Sequence, residues 1–499
     1  MPSERSPREN ASKASFGIPG LDAILGGGLP RDEMHLVQGS GGTGKTTMSL
    51  QFLLAGVRAG EPGLYVTLSQ TEGGLARIAS SHGWSLDNVV VHELSPGTVA
   101  DRIAANQTVL HTADVELGEI TRELRELVEA VKPRRAVFDS IGVISLLAGS
   151  ATRYHREIVL LRQFLAGYGC TALFIGDWAE GDEQEHDASA NSEFHSLTAS
   201  VIHLEQSAPD YGDVRRTLRV IKMRGVPFAG GRHNFKIRTG GLEVYPRLDT
   251  TSVSYDTFER LPSGIAPLDT LLGGGLEHGT ACLFVGPSGV GKSTVAAVFA
   301  RSAAQRGEHA AIFLFDERPE TFEARSAGVG IPLREQMEAG TLEIDLVDTS
   351  QISAGEFANS IRDSVEQKGS KLIVIDSLTG YFNAMDNSRM LAVQMHELLN
   401  YASRRGVLTL LLITQQGFMT VGDTPTVDIS YLSDTILVLR MFEADGVIRR
   451  CIAAAKKRQG EHETTIRELF ISSKGVTIAH EPLHGFESIF DGTKSRAGQ

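Results

Sequence analysis

Two short segments carry the residue types that grip phosphate, GSGGTGKT at 39–46 and GPSGVGKS at 286–293. Both fit the spacing GxxxxGK[ST], and each lies between an apolar run and a helical one, the context that separates a phosphate-binding loop from a chance match. Gly39, Gly41, Gly42 and Gly44 in the first loop, and Gly286, Gly289 and Gly291 in the second, let the backbone wrap closely around a β-phosphate with its N–H groups turned inward. Thr43 and Thr47, and in the second loop Ser288, Val290 and Thr294, complete the two cradles. Lys45 and Lys292 are placed to reach the β- and γ-phosphates, and the hydroxyls of Thr46 and Ser293 to ligate Mg2+. The spacing predicts two bound nucleotides per chain.

Asp139 ends the run RRAVFD and Asp376 ends KLIVID, each followed by serine. A carboxylate at the tip of a buried strand beside such a loop can hold the magnesium shell. Aspartate also suits a helix N-cap, and the two roles can coexist.

These segments belong to a longer repeat. GIPGLDAILGGGLPRDEMHLVQGSGGTGKTT at 17–47 returns as GIAPLDTLLGGGLEHGTACLFVGPSGVGKST at 264–294. The chain of 499 residues thus reads as two similar domains of roughly 230 residues each, large enough to bury their own cores. In each copy short apolar strands alternate with helical stretches. The strands are 35–39, 64–68, 134–140, 171–178 and 200–205 in the first copy, with a helix over 116–131. In the second they are 282–286, 310–316, 371–377, 408–416 and 435–442. This order predicts an α/β fold, two tandem domains each with a mainly parallel sheet covered by helices on both faces. The expected limits are a flexible arm at 1–14, domain one at 15–247, a linker at 248–258, domain two at 259–485 and a loose tail at 486–499.

Composition narrows the class. With 41% hydrophobic and 22% charged residues the chain is ordinary globular material, and a net charge of −13 argues against a protein that coats nucleic acid by bulk charge. Cys170, Cys282 and Cys451 are too scattered for a metal pair or a disulfide framework, which suits buried thiols in a reducing cytoplasm. The polar start MPSERSPRENASK and the lack of any long apolar run predict no membrane span and a cytoplasmic location.

The LDxxLGGGL stretch before the first strand, the phosphate loop and the segment RVIKMRG at 219–225 together resemble the KaiC group of RecA-superfamily ATPases, over nearly the whole chain. The resemblance implies tandem RecA-like domains, a homo-oligomeric ring, commonly a hexamer, and ATP with Mg2+ held between neighbouring subunits. It also implies an acidic pair after the second strand that activates the attacking water or hydroxyl. Domain two carries Asp316 and Glu317 there, whereas domain one carries Ser69 and Gln70, with Glu72 nearby. A carboxylate accepts a proton at neutral pH and an amide or hydroxyl does not, so domain two is expected to be the main engine. Gln70 retains the ability to orient water. A solvated acidic turn is the ordinary alternative for Asp316 and Glu317.

By the same resemblance Lys222 and Arg224, and Lys456 and Arg458 in the second copy, reach a neighbour's nucleotide and stabilise charge on the transferring phosphoryl group. Lysines guarding a sheet edge give the competing reading. The second copy departs from KMRG at Lys457 and Gln459. The segment 425–439 resembles the one that carries an adjacent phosphorylated Ser-Thr pair. Ser430 takes the serine's place and Tyr431 the threonine's, leaving Ser430 as the one candidate phosphoacceptor hydroxyl of an autokinase, or a serine bonded to local backbone. Family analogy further suggests KaiB-like proteins or two-component signalling proteins as partners. The rival classes are a RecA/RadA-type DNA-dependent ATPase, disfavoured by the acidic balance, and a nucleotide-stabilised scaffold with negligible catalysis.

Overall fold

A computed structural model describes residues 13–94, 112–142, 151–177, 194–208, 212–249, 259–348, 350–383, 388–414, 433–444 and 446–484. The chain divides into two compact units after Arg247. Residues 250–258 of the expected linker, and Ser430 and Tyr431, lie outside the described residues.

Each unit is built on a nine-stranded sheet. In the first the strands are β1 (Met34–Gly39), β2 (Gly63–Thr67), β3 (Val89–Glu93), β4 (Arg135–Asp139), β5 (Thr171–Asp177), β6 (Ser200–Ser207), β7 (Arg215–Met223), β8 (His233–Arg238) and β9 (Gly241–Tyr245). Their spatial order is β9-β8-β7-β6-β1-β5-β4-β2-β3. In the second unit the strands are β10 (Ala281–Gly286), β11 (Ala310–Leu314), β12 (Leu342–Leu346), β13 (Leu372–Asp376), β14 (Leu408–Thr414), β15 (Thr435–Ala444), β16 (Val447–Lys457), β17 (Arg467–Ser472) and β18 (Gly475–Ile478). They repeat the order as β18-β17-β16-β15-β10-β14-β13-β11-β12. From β6 to β3, and from β15 to β12, neighbouring strands run parallel. The three strands beyond, β7–β9 and β16–β18, are antiparallel. The tandem RecA-like, mainly parallel architecture expected from the sequence is therefore present.

The parallel strands are apolar on both faces because helices cover both. Against one face of the first sheet pack Met48, Leu50 and Phe52 of α1 (Lys45–Arg58) and Leu75 of α2 (Glu72–Ser81). Against the other pack Leu124 and Val128 of α3 (Thr112–Val131) and Ile158 and Leu161 of α4 (Ala151–Gly167). The second sheet repeats this, with Val295 and Phe299 of α5 (Lys292–Gln305) and Phe322 of α6 (Pro319–Gly328) on one side. Phe357 and Ile361 of α7 (Ala354–Gln367) and Met395 and Leu398 of α8 (Ser388–Arg404) cover the other. Each such side chain contributes roughly 1.5–3 kcal/mol on burial. All three cysteines are buried and unpaired.

The sequence reading found five strands per unit where, among the described residues, each main sheet has nine. The missed strands are those with one wet face or an open edge. In β7 buried Leu218 and Val220 alternate with exposed Arg219 and Ile221, so no continuous apolar run announces it. Lys13 and Ala14, read as the end of the arm, pair antiparallel with Leu29 and Pro30.

Candidate nucleotide sites

The first phosphate loop joins β1 to α1 and the second joins β10 to α5. Both helices start from a glycine in the left-handed region, Gly44 with φ 97° and Gly291 with φ 108°. A Cβ on Gly44 would lie 2.6 Å from Ile237 Cδ1, and one on Gly291 would lie 2.4 Å from Ile471 Cδ1. Handedness and the close approach of an antiparallel strand both require glycine there.

Lys292 Nζ donates to the carbonyls of Gly286 at 2.8 Å and Pro287 at 2.9 Å. Burial lowers its ammonium to a pKa of about 8, an effect opposed by the Asp376 carboxylate. Asp376 ends β13 and hydrogen-bonds Ser293, whose hydroxyl supplies the proton. Burial pushes the Asp376 carboxyl up, while the Ser293 hydroxyl, Arg325 and Lys292 pull it back.

These groups line a cavity of about 490 Å³ together with Asp316, Glu317 and Arg325. The acidic pair is structured on both sides. Ser377 Oγ donates to Asp316 Oδ2 at 2.8 Å, and Arg325 grips Glu317 with Nε to Oε1 at 3.2 Å and a terminal nitrogen to Oε2 at 2.8 Å. Ser288, Gly289, Gly291 and Thr294 also face the cavity, whereas Val290 is wholly buried under it. Arg450 on β16 reaches the same space, and its Nε is buried without a hydrogen-bond partner. Sequence reasoning singled out neither Arg325 nor Arg450. Arg450 lies on a strand that begins without a continuous apolar run, and Arg325 stands on a helix with no motif around it.

The first unit has the same frame with different chemistry. Lys45 Nζ donates to the carbonyls of Gly39 at 2.5 Å and Ser40 at 3.0 Å, and pairs with Asp177 Oδ1 at 2.9 Å. Thr43 and Thr47 are buried, Thr43 closing the loop through Ser40 O at 2.8 Å. Gly41 O accepts from Gln206 at 2.9 Å. The Gln70 amide reaches Thr46 Oγ1 at 3.2 Å, and the Tyr65 phenol donates to Asp139 Oδ2 at 2.7 Å. Burial raises the Asp139 carboxyl, and the Tyr65 hydrogen bond opposes it. The peptide bond after each strand-end aspartate, Asp139 and Asp376, is cis.

The donor set suits Mg2+. In each unit a hydroxyl and a carboxylate, both hard oxygens, stand beside the phosphate loop, Ser293 against Asp376 in the second and Thr46 with Asp139 across the Tyr65 phenol in the first. Among the described residues no cluster of three metal-ligating side chains competes. Mg2+ typically uses one or two protein oxygens plus substrate phosphates in this way.

The expected trans-acting cations sit elsewhere. Lys222 and Lys456 pair with Val201 and Ile436, beside a register shift that recurs at the same place in both sheets. Arg224 lies beyond its strand end near His35 rather than Gly39, and Arg458 near Cys282 rather than Gly286, so each is roughly 13 Å along the sheet from its own phosphate loop. Lys222 donates to His195 O, Arg224 to Ser196 O at 2.7 Å and Lys456 to Ser433 O at 2.8 Å. Arg458 lies 3.4 Å from Asp434. Burial, then Arg224 and Arg162, hold the Lys222 ammonium below the usual lysine range. Within one chain these cations are not brought to the phosphate loop of their own unit.

Twin doubly covered sheets, each with a phosphate loop and a strand-end carboxylate, define a tandem RecA-like P-loop ATPase. A family model described as "ATPase: KaiC" matches residues 14–249 and again 261–482. The chain belongs to the KaiC family. It is 26% identical over 506 residues to the circadian clock oscillator protein KaiC of Thermostichus vulcanus, covering 99% of this chain and 94% of the relative. With that of Synechococcus elongatus it shares 25% over 504 residues, again 99% and 94%. The circadian clock oscillator protein KaiC 1 of Synechocystis sp. is 26% identical over 501 residues, 98% and 93%. Among the described residues no helix is long and apolar enough to cross a membrane.

Proposed function

We propose that this KaiC-family ATPase hydrolyses ATP chiefly in its second unit, while the first holds ATP and turns it over slowly. The observation that carries this reading is the cavity that gathers Lys292, Ser293 and Asp376 with Asp316 and Glu317. The matching position of the first unit presents the Gln70 amide, which lies against Thr46.

In this reading Glu317 or Asp316 accepts the proton of the attacking water, and Lys292 balances charge on the β- and γ-phosphates. Mg2+, held through Ser293 and Asp376 in one unit and Thr46 and Asp139 in the other, would neutralise the phosphate oxygens. Lys456 and Arg458, and Lys222 and Arg224 in the first unit, serve the nucleotide of a neighbouring subunit. Their distance from their own loops supports a homo-oligomeric ring, which we take to be a hexamer. Ser430 is the proposed phosphoacceptor of an autokinase step. Nucleotide-driven changes in subunit contacts would signal in the cytoplasm to a KaiB-like or two-component partner.

Steady-state phosphate release from Glu317→Gln tests this reading. A fall of about 10²–10⁴ is expected for loss of a positioned base. Near-normal turnover with nucleotide still bound overturns the assignment.

A further inference from the structure

Tyr65 on β2 is fully buried and donates its phenolic proton to the strand-end carboxylate of Asp139. Its register equivalent in the second sheet is Ile312, since Tyr65 pairs with Val137 two residues before Asp139 as Ile312 pairs with Val374 two before Asp376. In the second unit Ser293 meets Asp376 directly. In the first the Tyr65 phenol donates to Asp139 Oδ2 at 2.7 Å and lies beside the Thr46 hydroxyl.

Proton counting orders this chain. Asp139 Oδ2 receives the single phenolic proton at 2.7 Å. With that proton committed, the phenol oxygen is left to accept from the neighbouring Thr46 hydroxyl, and the Gln70 amide donates through Nε2 to Thr46 Oγ1 at 3.2 Å. The run Gln70 to Thr46 to Tyr65 to Asp139 leaves the Thr46 oxygen one free lone pair and fixes the Asp139 carboxylate from outside. Two residues that differ between the units, Tyr65 against Ile312 and Gln70 against Glu317, thus join the hydroxyl and the carboxylate into one network.

We propose that Tyr65 is the positioning residue of the first unit's magnesium subsite, aiming the Thr46 lone pair and the Asp139 carboxylate at the cation and so making this unit a retentive Mg-nucleotide holder. The proposal rests on the reading that Thr46 and Asp139 receive the magnesium of a bound nucleotide. Ligand-orienting partners of this kind typically contribute about 10–100-fold to metal affinity.

The test uses the full chain with Lys292→Ala, so that only the first unit retains its phosphate lysine. A methylanthraniloyl derivative of ATP is bound in EDTA and titrated with MgCl2, reading the half-saturating Mg2+ by fluorescence. Free Mn2+ measured by electron paramagnetic resonance gives an independent affinity. Tyr65→Phe, which removes one oxygen atom, is expected to raise the half-saturating concentration about 10–100-fold. Tyr65→Ile, which copies the second unit, should do the same, and thermal melts report whether each variant is folded. Thr46→Ala separates the two levels. If Thr46→Ala shifts the midpoint and Tyr65→Phe does not, the role of Tyr65 is overturned while the metal subsite stands. If neither variant shifts it, the metal reading of this unit falls and the proposal with it.

Discussion

Asp177 Oδ1 lies 2.9 Å from Lys45 Nζ, where a phosphate oxygen of bound nucleotide is expected, whereas the register-equivalent residue at the end of β14 is Thr414. The two units therefore meet an incoming nucleotide differently. The first must exchange a carboxylate for a phosphate on its lysine.

Replacing Asp177 by threonine should tighten nucleotide binding at the first unit. The Asp177 side chain is 76% exposed, so the contact it makes is a screened one of about 0–1 kcal/mol. The expected gain is up to about fivefold in affinity, shrinking as salt rises. Fluorescent ATP titrations of the Lys292→Ala chain with and without Asp177→Thr check it, and weaker binding would contradict it.

The second unit should be sensitive to alkaline pH through Lys292. Its pKa falls from 10.5 to about 8 in the folded unit because burial disfavours the ammonium. Below about pH 8 the lysine is charged in both folded and unfolded chains, and the cost of burying that charge is fully present. Between about 8 and 10.5 the unfolded chain binds the additional proton, so this group makes the folded unit more stable as pH rises. Phosphate binding has the opposite sign, since it needs the charged form. Apparent ATP affinity of a Lys45→Ala chain should fall roughly tenfold between about pH 7 and pH 9, with proton uptake on binding visible by calorimetry in two buffers. An affinity flat over that range would contradict the shift.

Much of the frame was legible in the residues because it rests on strong local signals. Glycines that only a left-handed turn explains, such as Gly44 and Gly291, mark the loop-to-helix junctions. Runs such as LIVID mark strands buried on both faces. Asp139 and Asp376 could be placed for the same reason, since each terminates such a run beside the loop. Asp177 ends the strand TALFIGD in the same manner and carried the same signal. Tyr65 was visible only as one phenol in a buried strand, and its partners come from α1 and β4, distant in sequence. Arg325 and Arg450 have no local mark, because what places them is tertiary packing around the cavity.

Lys457 shows how a departure from a repeat can be structural. At the position of Met223 it is buried, pairs with Glu277 at 2.9 Å, and donates to Gly275 O at 3.1 Å and to Leu272 O. It thus ties β16 to the LDTLLGGGL segment by satisfying buried carbonyls, a role that methionine cannot fill. The flanking Lys456 and Arg458 keep the placement of their first-unit counterparts.

The proposed division of labour between the units is tested most directly by disabling one phosphate lysine at a time. Steady-state phosphate release is compared for Lys45→Ala and Lys292→Ala, at concentrations where native mass gives the same assembly state for both. The proposed reading predicts that Lys292→Ala leaves at most a few per cent of turnover, roughly the share expected of a unit lacking its base, and that Lys45→Ala keeps most of it. Turnover that survives Lys292→Ala and is abolished by Lys45→Ala would contradict the account.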